Sequence, residues 1–376
     1  MDTPQRIDQM QRRRRWISVP LAIIYKFVDD QGVYLAAIVT HYLFVAIFPL
    51  LLLSTTLLGF VLSGDSSLAR TLLNSAVAQF PIVGTQLASP TGLQGSFGAV
   101  AVGLLASTYG VLGLGQAVQN TLWVAWAQPR NSRPNPVLSR LRSAGLIAAF
   151  GLFTLLVSAG SLTVQQLGNR YTALDDWIPL LTSLAAVALV SLAVAVLFRR
   201  ASLRDVAWPY ALAGGAVVGI GFALLQQLGG IYVSRILSQV TDVNAVFALT
   251  LGLTGLLFLA ANVFVFGTET CVVLARKLYP RALLTPFTDA VELTEADRRA
   301  YAYYARMQRH KGFESVDVVW HDREGVGPGP GFAYGGGPPT TSMSLPALDA
   351  DQDDQGDQDD DGDGGQVSGG EPRTTA

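Results

Sequence analysis

Long apolar runs separated by short charged segments set the pattern of this chain. No Asp, Glu, Lys or Arg occurs in Val33–Leu62, Thr71–Pro129, Ser143–Asn169, Trp177–Phe198, Val206–Ser234 or Val243–Thr268. A helix of about 20 apolar residues crosses the hydrocarbon core of a bilayer and satisfies its own backbone there. Five of the runs each predict one such helix, and the 59-residue run Thr71–Pro129 predicts one near Phe97–Val118. The expected fold class is an all-α integral membrane protein with six transmembrane helices. Thr71–Leu93 is also apolar, but Asn74, Gln79, Pro81, Gly84, Gln86, Pro90 and Gly92 interrupt it. It reads as an amphipathic or re-entrant element, with a seventh span as the alternative.

Charge between the runs orients the bundle. Taken segment by segment, Lys and Arg number 6, 1, 4, 1, 3, 1 and 10. Positive charge marks the cytoplasmic side, so both termini are expected there, and a seventh span would break the alternation. Composition agrees with a membrane location. Half the residues are hydrophobic and 14% are charged, against roughly 25% charged in soluble domains. The formal charge of −2 conceals a basic body and an acidic tail. Residues 1–323 carry 25 Lys/Arg against 17 Asp/Glu, and 324–376 carry one Arg against 11 acids.

Four regions follow. Residues 1–32 read as a basic cytoplasmic arm with an interfacial helix over Trp16–Tyr25. Arg12, Arg13, Arg14 and Arg15 are placed to hold that helix against anionic lipid. A signal peptide is a poor fit: the apolar run is ten residues long and contains Pro20, and Asp29–Asp30 stand where small cleavage-site residues belong. Residues 33–276 form the membrane domain, 277–323 a cytoplasmic juxtamembrane region, and 324–376 a disordered Gly/Pro-rich and acidic tail. Thr294-Glu295-Ala296-Asp297 approximates a capping box that opens a helix to about Lys311. It reads as a solvated basic helix, with docking to a cytoplasmic protein partner or to the membrane surface as the alternative. Asp357, Asp359, Asp361 and Gly362 match the start of an EF-hand loop, but position twelve is Ser368, so the tail reads as a solvating segment.

Soluble catalytic chemistry finds no foothold. There is one cysteine, Cys271, and three scattered histidines, His41, His310 and His321. They make neither a disulfide framework nor a histidine-rich metal centre. No GxxxxGK[ST] occurs, and the glycine clusters fall inside apolar helices. No catalytic, cofactor-binding or metal-binding residue is assigned, no cofactor is expected, nothing points to nucleic acid, and the chain does not read as an enzyme.

Polar groups at membrane depth are costly and mark candidate sites. In the first span these are His41 and Tyr42, with Pro49 a predicted kink because proline cannot donate to Val45. In the second, Ser107, Thr108, Tyr109, Gln116, Gln119 and Asn120 form a progression toward the cytoplasm. In the sixth, Thr250, Thr254, Asn262 and Glu269 fall on one face. Glu269 lies near the cytoplasmic end, where hydration would relieve its cost, and Arg276 or Arg199–Arg200 are its expected partners. It reads as a gate or coupling carboxylate, or as a structural one. Ala211, Gly215, Gly219 and Ala223 repeat every four residues in the fifth span. Such small residues let helices approach closely, either within the bundle or in a homo-oligomer.

Ala36-Ala37, His41-Tyr42 and Phe48-Pro49-Leu50-Leu51 resemble the first-span signature of YihY/BrkB-like membrane proteins. Tyr109-Gly110 with Gln119-Asn120 and Trp123 is similar to their second span. Trp208-Pro209 and Phe266-Gly267-Thr268-Glu269 fit the start of the fifth and the end of the sixth, with Tyr210 and Thr268 departing from the usual residues. The resemblance implies a bacterial inner-membrane protein of six spans with no settled activity. The family has been treated as a candidate transporter and has also carried the label ribonuclease BN, which no residue here supports. The function expected is transport of an unidentified small molecule, ion or lipid. The alternative is a membrane scaffold that recruits partners through its cytoplasmic tails.

Overall fold

The computed structural model describes residues 3–61, 97–135, 138–140, 142, 145, 178–202, 205–236, 242–283, 285–287 and 291–320. Among them the long elements are all helices: α1 (Thr3–Arg13), α2 (Arg15–Asp29), α3 (Gly32–Val61), α4 (Phe97–Ala125), α5 (Ile178–Ala201), α6 (Trp208–Ile236), α7 (Asp242–Ala275) and α8 (Glu295–Met307). No strand occurs among the described residues. Of the expected span in Ser143–Asn169 only residue 145 is described, and the Thr71–Leu93 element and the acidic tail lie outside the described residues. Leu180–Arg200, Trp208–Ile231 and Thr250–Arg276 are long and apolar enough to cross a membrane. A fourth is reached if α2 and Gly32–Ile47 count as one span bent by 67°.

That bend sits at Asp30–Gln31, where Gln31 takes a left-handed φ of 54°. A non-glycine residue adopts this conformation only when its surroundings impose it. Here the Asp30 N–H bonds the Lys26 carbonyl and the Gln31 N–H bonds that of Val28, closing α2 and turning the chain into α3. Helix α3 continues without a break through Pro49, whose side chain is outside the described set.

The described residues up to Val316 form one compact unit, and of those from Asp317 onward only 317–320 are described. Within that unit α7 is the central helix, packed on α2, α3, α4 and α6. Small residues set these approaches, because lipid offers helices no hydrophobic incentive to associate and close backbone contact must hold them. A Cβ on Gly214 would lie 2.5 Å from the Gly267 carbonyl oxygen, which fixes the α6–α7 crossing. Against α5, a Cβ on Gly215 would lie 2.2 Å from the Ser191 carbonyl oxygen, and one on Gly219 2.2 Å from the Ser191 hydroxyl. Ala211 is fully buried one turn earlier, and Ala223 is half-buried one turn later.

Helix α8 departs from its expected solvation. Its capping box forms as read, with Thr294 accepting from the Asp297 N–H and Asp297 accepting from the Thr294 N–H. Yet Ala296, Asp297, Ala300 and Ala302 are buried, and Tyr303 and Tyr304 pack on the core built around Leu122, Phe198 and Val272. The physical reason is the spacing of Ala296, Ala300 and Tyr304, which gives one flat face with a large apolar ring at its end. The arginines occupy the rest of the circumference, and counting them alone suggested a helix free in water.

The first helix is also fastened. Gln11 Nε2 donates to the Arg281 carbonyl at 2.7 Å, and the Leu283 N–H donates to Asp8 Oδ1 at 2.9 Å. Arg12, paired with Asp8 at 2.6 Å, reaches the Glu292 carbonyl at 3.3 Å.

Candidate functional site

Lys26 and Asp30 stand four residues apart on the buried face of α2 and its C-cap, which makes them neighbours by helical geometry. They form a close ion pair. Glu269 enters from α7, its Oε2 3.4 Å from Lys26 Nζ. The side chains of Lys26, Asp30 and Glu269 are 3%, 0% and 0% exposed. Tyr304 closes the cluster from α8, with its ring centre 5.2 Å from Lys26 Nζ. One ammonium therefore faces two carboxylates, and one negative charge is left over. Both Glu269 oxygens, Asp30 Oδ1 and the Tyr304 hydroxyl are buried with no hydrogen-bond partner. Removing an ion from water costs several kcal/mol even when it is paired, so this is an expensive arrangement.

The expected hydration of Glu269, and its pairing with Arg276 or Arg199–Arg200, do not occur. Helices α2 and α8 cover the end of α7 and shut water out. Arg276 lies seven residues on, about 10 Å along the helix axis. It donates to the Trp126 carbonyl at 2.5 Å and stacks 4.2 Å over Tyr303. Arg199 stacks 4.6 Å over Trp208.

Beside this site lies a better-satisfied cluster. Arg281 Nη1 reaches Asp29 Oδ2 at 2.7 Å, and its Nε reaches Asp297 Oδ1 at 2.6 Å. The other Asp297 oxygen accepts from the Ala282 N–H at 2.9 Å and from the Thr294 N–H and hydroxyl at 3.0 and 2.8 Å. Burial opposes the Arg281 charge, but the Asp29 and Asp297 carboxylates overcome it and hold the guanidinium above its usual range.

The tyrosines of α8 feel both clusters. Burial, then the Asp29 charge, pushes the Tyr301 phenol up to about 12. Burial, with Asp30, Asp29 and Glu269 adding to it, holds Tyr304 well above the ordinary range. Free tyrosine titrates near 10, so folding favours the neutral phenol. The stability Tyr301 contributes is complete below about pH 10 and is lost as pH rises through about 12. Melting temperature should fall across that window, and Tyr301→Phe should shrink the fall; a fall of the same size in the variant would contradict this assignment.

Other candidate residues stand apart from the Glu269 cluster. His41 is exposed, with its ring 5.2 Å from that of Tyr42, which lies 6.0 Å from Tyr109. Asn262 donates to the Phe258 carbonyl of its own helix at 2.8 Å, as Thr254 does to Thr250. Asn120 is half-buried on α4, where its neighbours Gln116 and Gln119 both accept from the Ser139 hydroxyl, at 3.1 and 2.8 Å.

Against known families, the model for virulence factor BrkB matches residues 23–290, well over half the chain. The chain belongs to the BrkB family. No curated protein and no solved structure matches it. The BrkB match takes in Lys26, Asp29, Asp30, Glu269 and Arg281 and stops short of α8. Asp297 and Tyr304 thus reach the two clusters from outside the BrkB segment. Charge spacing in the sequence singles out Glu269 but not its companions: Lys26 reads as one basic residue of the arm, and Asp29–Asp30 as an obstacle to cleavage. The available signal was an oppositely charged pair at (i, i+4) directly ahead of a long uncharged run.

Proposed function

We propose that this BrkB-family protein is a transporter-like protein of the bacterial inner membrane, with six spans and both termini in the cytoplasm. Its cargo is a small molecule, ion or lipid, and Glu269 is its coupling carboxylate. The observation that carries this reading is the surplus negative charge held by Lys26, Asp30 and Glu269 where α2, α7 and α8 meet. A purely structural ion pair gains nothing from a second carboxylate. A charge imbalance at a helix junction does link what binds there to how the helices pack, since anything that binds one arrangement better shifts the population toward it.

Helix α2 supports the topology. Trp16, Ile24 and Val28 are 71%, 49% and 42% exposed, and with Pro20 they form an apolar stripe below exposed Arg13, Arg14 and Arg15. At 67° to α3, α2 fits a helix lying in the interface of an anionic leaflet while α3 crosses it. A recruiting scaffold has weaker support, because the flat face of α8 is already covered by its own chain. Native mass spectrometry in nanodiscs cut from the source membrane names the cargo, and reconstituted vesicles then read its flux. Glu269→Gln should abolish the flux and leave the melting temperature intact or higher. An undiminished flux would remove Glu269 from the mechanism.

A further inference from the structure

The Lys26–Asp30–Glu269 cluster lacks one positive charge, and its geometry restricts what can supply it. The position a cation would take between the two carboxylates is already held by Lys26 Nζ, close against Asp30 and 3.4 Å from Glu269. A hard metal ion needs about six oxygen ligands, and among the described residues no group of three or more His, Cys, Asp or Glu is placed to hold one. The unmet demand is instead for hydrogen-bond donors. Glu269 Oε1 and Asp30 Oδ1 are buried acceptors without a hydrogen bond, and Glu269 Oε2 has only Lys26 at ion-pair distance. A proton meets both needs, because it cancels the surplus charge and turns one acceptor into a donor.

We propose that Asp30 and Glu269 share one bound proton, and that this proton is the coupling ion of the transport reading above, on which its coupling role rests. The proton arrives from water on one side, forms an O–H bond on one of the two carboxyls, and leaves to water on the other side. No electrons change hands. The groups facing the pair are Lys26 and Asp29 on α2, Tyr304 on α8 and, beyond them, Arg281. Arg281 is engaged by Asp29 and Asp297, so it has no positive charge to lend. Like carboxylates at close quarters titrate as a unit, and Lys26 compensates only one of them.

The charge count makes the variants discriminating. Glu269→Gln leaves Lys26 with Asp30, and Asp30→Asn leaves Lys26 with Glu269; each pair is neutral and has no use for a proton. Lys26→Met leaves two carboxylates without a cation. The test is infrared difference spectroscopy of the full chain in nanodiscs at neutral pH, with deuterium exchange, reading the carbonyl band of a protonated carboxyl. The wild type should show the band, both neutral-pair variants should lose it, and Lys26→Met should raise it up to about twofold. Melting curves report folding, and Asp30→Asn carries the test if Glu269→Gln is misfolded. Absence of the band in wild type, its survival in both neutral-pair variants, or its loss on adding sodium would each overturn the proton assignment.

Vesicles test the coupling separately. A flux driven by a pH gradient and lost together with the band supports it, and a flux indifferent to that gradient overturns it. The band is read without any cargo. Persistence of the band with no flux at all therefore retires the transport reading and leaves the proton site standing.

Discussion

Replacing Arg281 by methionine should cost about 3–5 kcal/mol, the range seen when one partner of a buried ion pair is removed. Its guanidinium is 1% exposed, and it lies between Asp29 at the end of α2 and Asp297 at the start of α8. Without it, Asp29 loses the cation it directly pairs with, and Asp297 keeps its backbone donors but faces a buried carboxylate neighbour with nothing between them. Methionine fills a similar volume, so packing loss is a minor part of the effect. Lysine should rescue only partly, because an ammonium cannot present Nε and Nη1 to two carboxylates in a fixed plane. The expected result in detergent is a large fall in melting temperature, with the segment from 277 onward becoming the first site of protease cleavage. An unchanged melting temperature would mean that the two carboxylates find water or each other at little cost.

A second large effect is expected at Gly215. The methyl group of alanine would stand 2.2 Å from the Ser191 carbonyl oxygen, an atom fixed in the α5 backbone. Helices α5 and α6 must separate or slide, and overpacking of this kind costs about 1–3 kcal/mol, with Gly215→Val at or beyond the upper end. Two controls isolate the cause. Gly230 lies in the same helix with nothing within 4 Å of the place a Cβ would take, so Gly230→Ala should be neutral or stabilising by up to about 1 kcal/mol. Gly113 would meet the Tyr42 ring at 2.1 Å, but a ring can rotate away, so Gly113→Ala should fall between them. Backbone propensity favours alanine over glycine at both positions by up to about 1 kcal/mol, so equal losses at Gly215 and Gly230 would rule out the close approach as the cause.

Much of the architecture was legible because charge spacing and helix period are properties of the chain read in order. The starts of α6 at Trp208 and α8 at Glu295 follow from Trp208-Pro209 and from Thr294-Glu295-Ala296-Asp297. The four-residue stripe through Ala211 and Gly215 was visible for the same reason. The partner of that stripe was not, because period within one helix says which residues share a face and nothing about what meets it. Glu269 shows the limit most clearly. Its position near the end of an apolar run suggested water and Arg276, whereas Lys26 and Tyr304 come from elements more than 200 and about 35 residues away. The docking of α8 was obscured by its arginines, although three small residues and Tyr304 set its orientation.

The bonds of α1 bear on how the protein is made. Gln11 to Arg281, Asp8 to Leu283 and Arg12 to Glu292 span 270, 275 and 280 residues. A ribosome adding about 5–20 residues per second leaves the arm waiting on the order of tens of seconds for those partners to emerge. Through that interval Lys26 and Asp30 have each other but not Glu269. The N-terminal arm is thus synthesised well before the segments that lock it. A chain that stalls before Arg281 would present that arm unclasped to the quality-control proteases of the membrane.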